Sequence, residues 1–252
     1  MKILAIGNSF SQDATYYLHA IASLEHKETK VVNLCIGGCS LEQHWQNIIH
    51  EKKEYLYELN GKSCDRFISI QDAIKEEKWD IIVTQQVSHD SGWSDSYEPF
   101  LSMICAWLRK EQPQARLCLQ KTWAYEINSE HFGFWRYNRN QDEMYSRLCS
   151  AYEKAAEKNK LFCIPSADII QALRNVPEFD YSNNGKSLCR DGFHMHYIYG
   201  RYAVAATWYA ALYQKKISGN SYIPNSELLP DYKVDENLIF LIQKVVDKVL
   251  GL

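Results

Sequence analysis

Short apolar runs that stop at glycine, glutamine or serine, each followed by helical periodicity, recur along this chain and leave it few folds. The first is Ile3–Ile6, four consecutive apolar residues closed by Gly7-Asn8-Ser9. A run with no polar alternation suits a strand buried on both faces of a parallel sheet. An amphipathic helical pattern follows over about Asp13 to Leu24. Lys30–Ile36 reads as a second buried strand ending at Gly37-Gly38, Ile81–Thr84 as a third ending at Gln85-Gln86, Ala115–Leu119 as a fourth and Leu161–Ile164 as a fifth. Strands that alternate with helices imply a parallel sheet covered on both faces through right-handed crossovers. The expectation is an α/β fold, a three-layer α/β/α sandwich around about five parallel strands, with residues 1–252 as one domain.

The helices carry their own punctuation. Ser40 caps Leu41–Ile49, and Ser69 with Asp72 forms an acidic capping box for a helix to about Lys78. Tyr97–Lys110 places Phe100, Leu101, Ile104 and Leu108 on one face. Asp142–Lys158, Ala167–Arg174, Tyr197–Tyr213 and Asp235–Leu250 complete the set, and Thr122–Arg139 is a long aromatic-rich loop. Tyr55–Leu59 and Lys62–Ile68, joined by Asn60-Gly61, predict a hairpin with a type I′ turn, read as an excursion from the sheet.

Composition excludes several classes. A net charge of -3 offers no electrostatic case for nucleic acid or an anionic membrane. The eight cysteines are scattered, form no CxxC pair and read as reduced, mostly buried thiols. No run approaches the ~20 apolar residues of a membrane span, and the start is too short for a signal-peptide core of roughly 7–15 residues. The expected compartment is cytoplasmic for the chain as given, and secreted or periplasmic if a leader was removed.

Chemistry gathers at strand ends. A strand closing in Gly-x-Ser before a helix puts the Ser9 hydroxyl at the carboxyl edge of the sheet, where open α/β sheets bind ligands. Ser9 needs a base. Asp191-Gly192-Phe193-His194, just before a helix, supplies one, with the carboxylate orienting the imidazole and stabilising its charged form.

With these residues in place the chain resembles the SGNH hydrolases, the GDSL-like lipase and esterase superfamily, whose flavodoxin-like fold the resemblance implies. Gly7-Asn8-Ser9-Phe10 resembles the block I Gly-Asp-Ser motif with Asn in place of Asp, which implies Ser9 as nucleophile. Asn33–Gly38 resembles block II, whose glycine N–H serves the oxyanion hole; Gly38 fits best and Gly37 is close. Asp191-x-x-His194 resembles block V, with His194 as base and Asp191 as its partner. Block III departs: the usual Gly-x-Asn after the third strand is replaced by Thr84-Gln85-Gln86-Val87-Ser88-His89-Asp90. A Gln amide donates as an Asn amide does. Gln85 is the first choice, Gln86 the second, and His89 sits where a simple alignment places the Asn. The resemblance therefore implies a catalytic triad of Ser9, His194 and Asp191 and an oxyanion hole of Ser9, Gly38 and Gln85, with no cofactor and no metal.

The expected reaction is hydrolysis of small acyl esters, with acetylated carbohydrate as the substrate. Asn8, Gln86 and His89 lie beside the motifs, and Trp93, Trp123 and Tyr125 follow the third and fourth strands, so all six are expected at the substrate, the aromatics framing the entrance. Two other readings stand beside it: a non-catalytic carbohydrate-binding protein on the same scaffold, and a general short-chain esterase or lipase. A metal site at His194-Met195-His196 lacks a third ligand at a usual spacing, and oligomeric state is open.

Overall fold

The computed structural model describes residues 1–252. Its strands are β1 (Lys2–Gly7), β2 (Lys30–Cys35), β3 (Tyr55–Leu59), β4 (Lys62–Ile68), β5 (Ile81–Thr84), β6 (Arg116–Gln120) and β7 (Phe162–Ile164). They form one sheet in the order β4-β3-β2-β1-β5-β6-β7. β2, β1, β5, β6 and β7 are mutually parallel, the five strands the apolar runs predict. Counted among themselves their order is 2-1-3-4-5, the flavodoxin-like winding, which reverses direction between β1 and β5.

The hairpin forms at 55–68, with Asn60 and Gly61 both at positive φ, 53° and 83°, as a type I′ turn requires. It is not an excursion. β3 pairs antiparallel with β2 from Val32↔Leu59 to Cys35↔Leu56, and β4 pairs with β3, so the sheet has seven strands and is mixed. The outer edge of β2 carries unpaired backbone groups, and the hairpin satisfies them. β4, exposed over Lys62–Phe67, then presents charged residues to solvent and blunts further pairing.

Helices cover both faces. α1 (Ser9–Thr15), α2 (Leu18–Leu24), α7 (Ser166–Arg174), α8 (Tyr199–Tyr213) and α9 (Glu236–Leu250) pack together in one layer. α3 (Leu41–Ile49), α4 (Ile70–Glu76), α5 (Phe100–Glu111) and α6 (Gln141–Asn159) make the other. The helix predicted from Asp13 starts four residues earlier, because Asn8 Oδ1 accepts the Phe10 N–H at 3.0 Å and caps it at Ser9. It breaks at Tyr16-Tyr17, where the Tyr17 hydroxyl donates to the carbonyls of Tyr197 and Asn225. α8 is buried nearly throughout, as a helix apolar on every side must be. The core is one continuous cluster of 70 buried apolar residues.

Register carries the motifs to one place. Gly7 lies opposite Cys35, Ile6 opposite Thr84, and Thr84 opposite Leu119, so β1, β2, β5 and β6 end together at the carboxyl edge.

Candidate active site

Ser9 is the first residue of α1, at the switch between β1 and β5. Its Oγ lies 2.8 Å from His194 Nε2, and His194 Nδ1 lies 2.7 Å from Asp191 Oδ2. The other carboxylate oxygen of Asp191 accepts the N–H groups of Phe193 and His194, at 3.2 and 2.8 Å. Partial burial works to raise the Asp191 carboxyl, but the bonds from the His194 ring and backbone outweigh it and hold the group below its ordinary range. The proton of Nδ1 thus faces a carboxylate, leaving Nε2 as the acceptor for the Ser9 hydroxyl.

The loop carrying His194 is held to the helix that starts at Ser9 by a buried carboxylate. Asp13, one turn after Ser9 and fully buried, accepts Arg190 Nη1 at 3.0 and 3.1 Å, Arg201 Nε at 2.7 Å and the Met195 N–H at 2.8 Å. Arg190 also donates to the Met195 carbonyl through Nη1 and to the His194 carbonyl through its backbone N–H. The segment carrying His194 is therefore bonded on both sides of the imidazole. Sequence reasoning passed over this cluster, although a carboxylate on the buried stripe of α1 and an arginine inside the apolar α8 each require a partner.

A cavity of about 450 Å³ opens at Ser9, within the range of small-molecule sites. Asn8, Ser9, Gly37, Gly38 and His194 line it together with Phe10, Val87, Ser88, His89, His131, Phe132 and Phe193. Gly38 has φ +66°, at the third position of the turn closed by Cys39 N–H to the Ile36 carbonyl, a conformation that favours glycine. The N–H groups of Ser9 and Gly38 have no partner among the turn, loop and cap bonds, which leaves both free beside the Ser9 hydroxyl. The rings of Phe193 and His194 lie 4.0 Å apart, Phe193 and His131 4.7 Å edge to face, and His131 and Phe132 4.6 Å and stacked, so the four form one aromatic cluster. Burial holds the His89 and His131 imidazoles below their ordinary range, with His89 and His194 adding to the effect at His131.

A family model described as a domain of unknown function, DUF4886, matches residues 2–236. The chain belongs to the DUF4886 family. A crystal structure of a DUF4886 family protein from Bacteroides uniformis is 35% identical, with a TM-score of 0.89, covering 100% of this chain and 95% of that one. A proposed SGNH hydrolase from Slackia heliotrinireducens is 21% identical, TM-score 0.54, covering 84% and 95%. An acetyl xylan esterase is 16% identical, TM-score 0.57, covering 84% and 100%. The fold is that of the SGNH hydrolases. No curated protein matches the sequence.

In this DUF4886 chain several expected site residues do other work. Gln85 is buried, and its Nε2 donates to Asn8 Oδ1 at 2.7 Å. It braces the cap of α1 from behind and does not line the cavity. Asn8 borders the cavity, but its Oδ1 takes Phe10 and Gln85 and its Nδ2 donates to the Cys39 carbonyl at 3.0 Å. Gln86 is also buried: Oε1 accepts the N–H groups of Leu41 and Val87, and Nε2 donates to Ser96. It ties α3 to the loop after β5 and does not line the cavity.

The aromatic entrance moves too. Trp123 is fully buried, stacked on Phe10 at 4.3 Å, with Nε1 donating to the Phe193 carbonyl at 2.8 Å. Tyr125 is buried among His131, Phe134 and Phe193. Trp123 is held inward by Phe10 and the Phe193 carbonyl, and Tyr125 by the rings of His131 and Phe134. Trp93 lies outside the cavity, against Tyr137 and beneath the guanidinium groups of Arg136 and Arg147. His89 alone of the six lines the cavity without a side-chain hydrogen bond. His131, Phe132 and Phe193 take the place of the tryptophans; Phe193, inside the Asp-Gly-Phe-His motif, was the legible one.

His194 and His196 serve different neighbours. His196 Nδ1 accepts the Ile198 N–H at 3.2 Å and its ring stacks on Tyr199. All eight cysteines are free, Cys64 alone being exposed. No helix is long and apolar enough to cross a membrane.

Proposed function

We propose that this protein is a serine esterase that removes small acyl groups, acetyl first, from O-acetylated carbohydrates. The observation that carries the reading is the unbroken line from Ser9 Oγ through His194 to Asp191, at 2.8 and 2.7 Å. Ser9 Oγ attacks the acyl carbon while its proton passes to His194 Nε2. The carbonyl oxygen becomes an oxyanion facing the N–H groups of Ser9 and Gly38. Collapse breaks the bond to the alcohol oxygen, which takes the proton from His194 and leaves an acyl-Ser9. Water then attacks the acyl carbon, gives its proton to His194 and, after the second collapse, releases the acid with Ser9 reprotonated.

Two features favour an acetylated sugar. The cavity holds no ionised side chain outside the triad, which suits a neutral substrate, and its wall alternates aromatic faces with imidazole nitrogens, which suits ring faces and hydroxyls. A second reading, short-chain esters without sugar preference, draws on Val87, Phe132 and Phe193 in the same wall.

The test is hydrolysis of p-nitrophenyl acetate and acetylated xylo-oligosaccharide. Ser9→Ala and His194→Ala are each expected to lose several orders of magnitude in kcat, and the double variant about as much as either, because nucleophile and base act as one unit. Asp191→Asn should retain more activity. A Ser9→Ala protein with undiminished turnover would end the esterase reading. Equal preference of the wild type for simple acetates would select the second.

A further inference from the structure

The geometry points to Ser88 as a catalytic residue, its hydroxyl donating a hydrogen bond to the oxyanion, with Tyr125 as the residue that positions it. This inference rests on the esterase reading above. An oxyanion in acyl transfer is stabilised by donors fixed before the reaction, side-chain as well as backbone. The side-chain amides nearest Ser9 are engaged elsewhere, since Asn8 Nδ2 donates to Cys39, Gln85 Nε2 to Asn8 and Gln86 Nε2 to Ser96. On the loop leaving β5, Ser88 is nearly buried and lines the cavity that holds Ser9 and Gly38.

The direction of its proton follows from burial. Ser88 Oγ and the Tyr125 hydroxyl lie 2.7 Å apart, and each is the other's only side-chain partner. Either oxygen is able to donate by distance alone. Tyr125 is fully buried among the rings of His131, Phe134 and Phe193, where its proton has no other acceptor. A buried hydroxyl without an acceptor is costly, so Tyr125 donates to Ser88. The Ser88 proton is then the spare one, and Ser88 is the member of the pair that borders the cavity. A donor whose oxygen already accepts a bond is polarised toward giving its own proton. Ser88 keeps that proton throughout: it donates a hydrogen bond, and the proton shuttled in catalysis remains with His194.

The lining holds two ring donors besides, His89 and His131; His131 Nδ1 accepts the Gly133 N–H at 3.0 Å, so its proton sits on Nε2. Both border the same cavity as Ser88, and the experiment separates them from it.

Steady-state kinetics on p-nitrophenyl acetate should show Ser88→Ala losing about 10²-fold in kcat with KM little changed, the signature of an interaction made in the transition state. Ser88→Thr, which keeps a hydroxyl, should recover most of it. Tyr125→Phe should lose about fivefold, the worth of one hydrogen bond. The Ser88→Ala, Tyr125→Phe double variant leaves no orphaned hydroxyl, so it folds even where Ser88→Ala does not. It should be no slower than Ser88→Ala alone. The rate of Ser9 phosphorylation by diethyl p-nitrophenyl phosphate, whose phosphoryl oxygen takes the place of the acyl oxygen, should fall in parallel. A double variant within twofold of wild type in kcat overturns the proposal, as does a loss confined to KM. Loss of kcat in His89→Ala or His131→Ala with Ser88→Ala unaffected assigns the donor to that imidazole and overturns it as well. A wild type without esterase activity fails the parent reading instead, and this one with it.

Discussion

His44 shows how a single residue sets a property of the whole molecule. It is fully buried on α3, with Nδ1 2.8 Å from the Tyr55 hydroxyl and 3.4 Å from Cys39 Sγ, and Nε2 without a partner. Burial alone carries its pKa from the usual 6.5 down to about 3. Between those values the unfolded chain binds a proton that the folded chain refuses. Stability therefore falls as pH drops through that window, by at most about 1.4 kcal/mol per pH unit, and is unaffected by this group above it. Urea unfolding of wild type and His44→Gln at several pH values between 6 and 4 checks this: the variant's slope with pH should be shallower. Parallel slopes would mean that His44 is protonated in the fold. The same residue scale explains why Asn8 and Gln86 read as substrate ligands in the sequence, and Gln85 as an oxyanion donor. An amide is equally able to donate to a substrate or to a neighbouring backbone, and only its partner decides which.

At the scale of elements, α1 and the loop carrying His194 act as one part because Asp13 joins them. Ser9 and Asp13 are four residues apart, one turn along the same helix, so Ser9 and the anchor of the His194 loop ride together. Asp13→Ala leaves Arg190 and Arg201 without their shared carboxylate, and breaking such a buried cluster costs about 3–5 kcal/mol. Asp13→Asn keeps the shape and one acceptor. It should fold with a lowered melting temperature and lose kcat more than it raises KM, since the imidazole is held less firmly while the cavity is intact. Wild-type kcat in Asp13→Asn would show that the loop is positioned by its backbone bonds alone. The hairpin β3-β4 is the contrasting element: it was plain from Asn60-Gly61, yet nothing local says whether it leaves the sheet or extends it.

At the scale of the molecule, the core reaches directly beneath the active site. Trp123 stacks on Phe10, next to the nucleophile, and bonds the carbonyl of Phe193, next to the base. Trp123→Ala opens a cavity costing about 3–5 kcal/mol, with roughly 2–4 °C of melting temperature lost per kcal/mol in a chain of this size. Activity on p-nitrophenyl acetate and on acetylated saccharide should fall together, because both sides of the site lose their support. A raised KM for the saccharide alone, with no change in melting temperature, would return Trp123 to the entrance. Phe132, 70% exposed, is the large aromatic that the cavity shows to solvent.

The sequence by itself determined the elements and the chemistry of the edge. Apolar runs such as Ile3–Ile6 and Ile81–Thr84 are buried on both faces and have few alternatives, and Gly7-Asn8-Ser9, Gly37-Gly38 and Asp191-Gly192-Phe193-His194 mark where those elements stop. These are local signals, read within a few residues. Tertiary structure decided whatever depends on partners far along the chain. Ser9 and His194 are separated by 185 positions, Asp13 and Arg201 by 188, and Phe10 meets Trp123 only once β1 and β6 have taken their places around β5. Whether an aromatic ring faces a cavity or the core, and whether a glutamine holds substrate or backbone, is set by what packs over it. A period of two or of 3.6 residues records which face is apolar, and does not record what that face will meet.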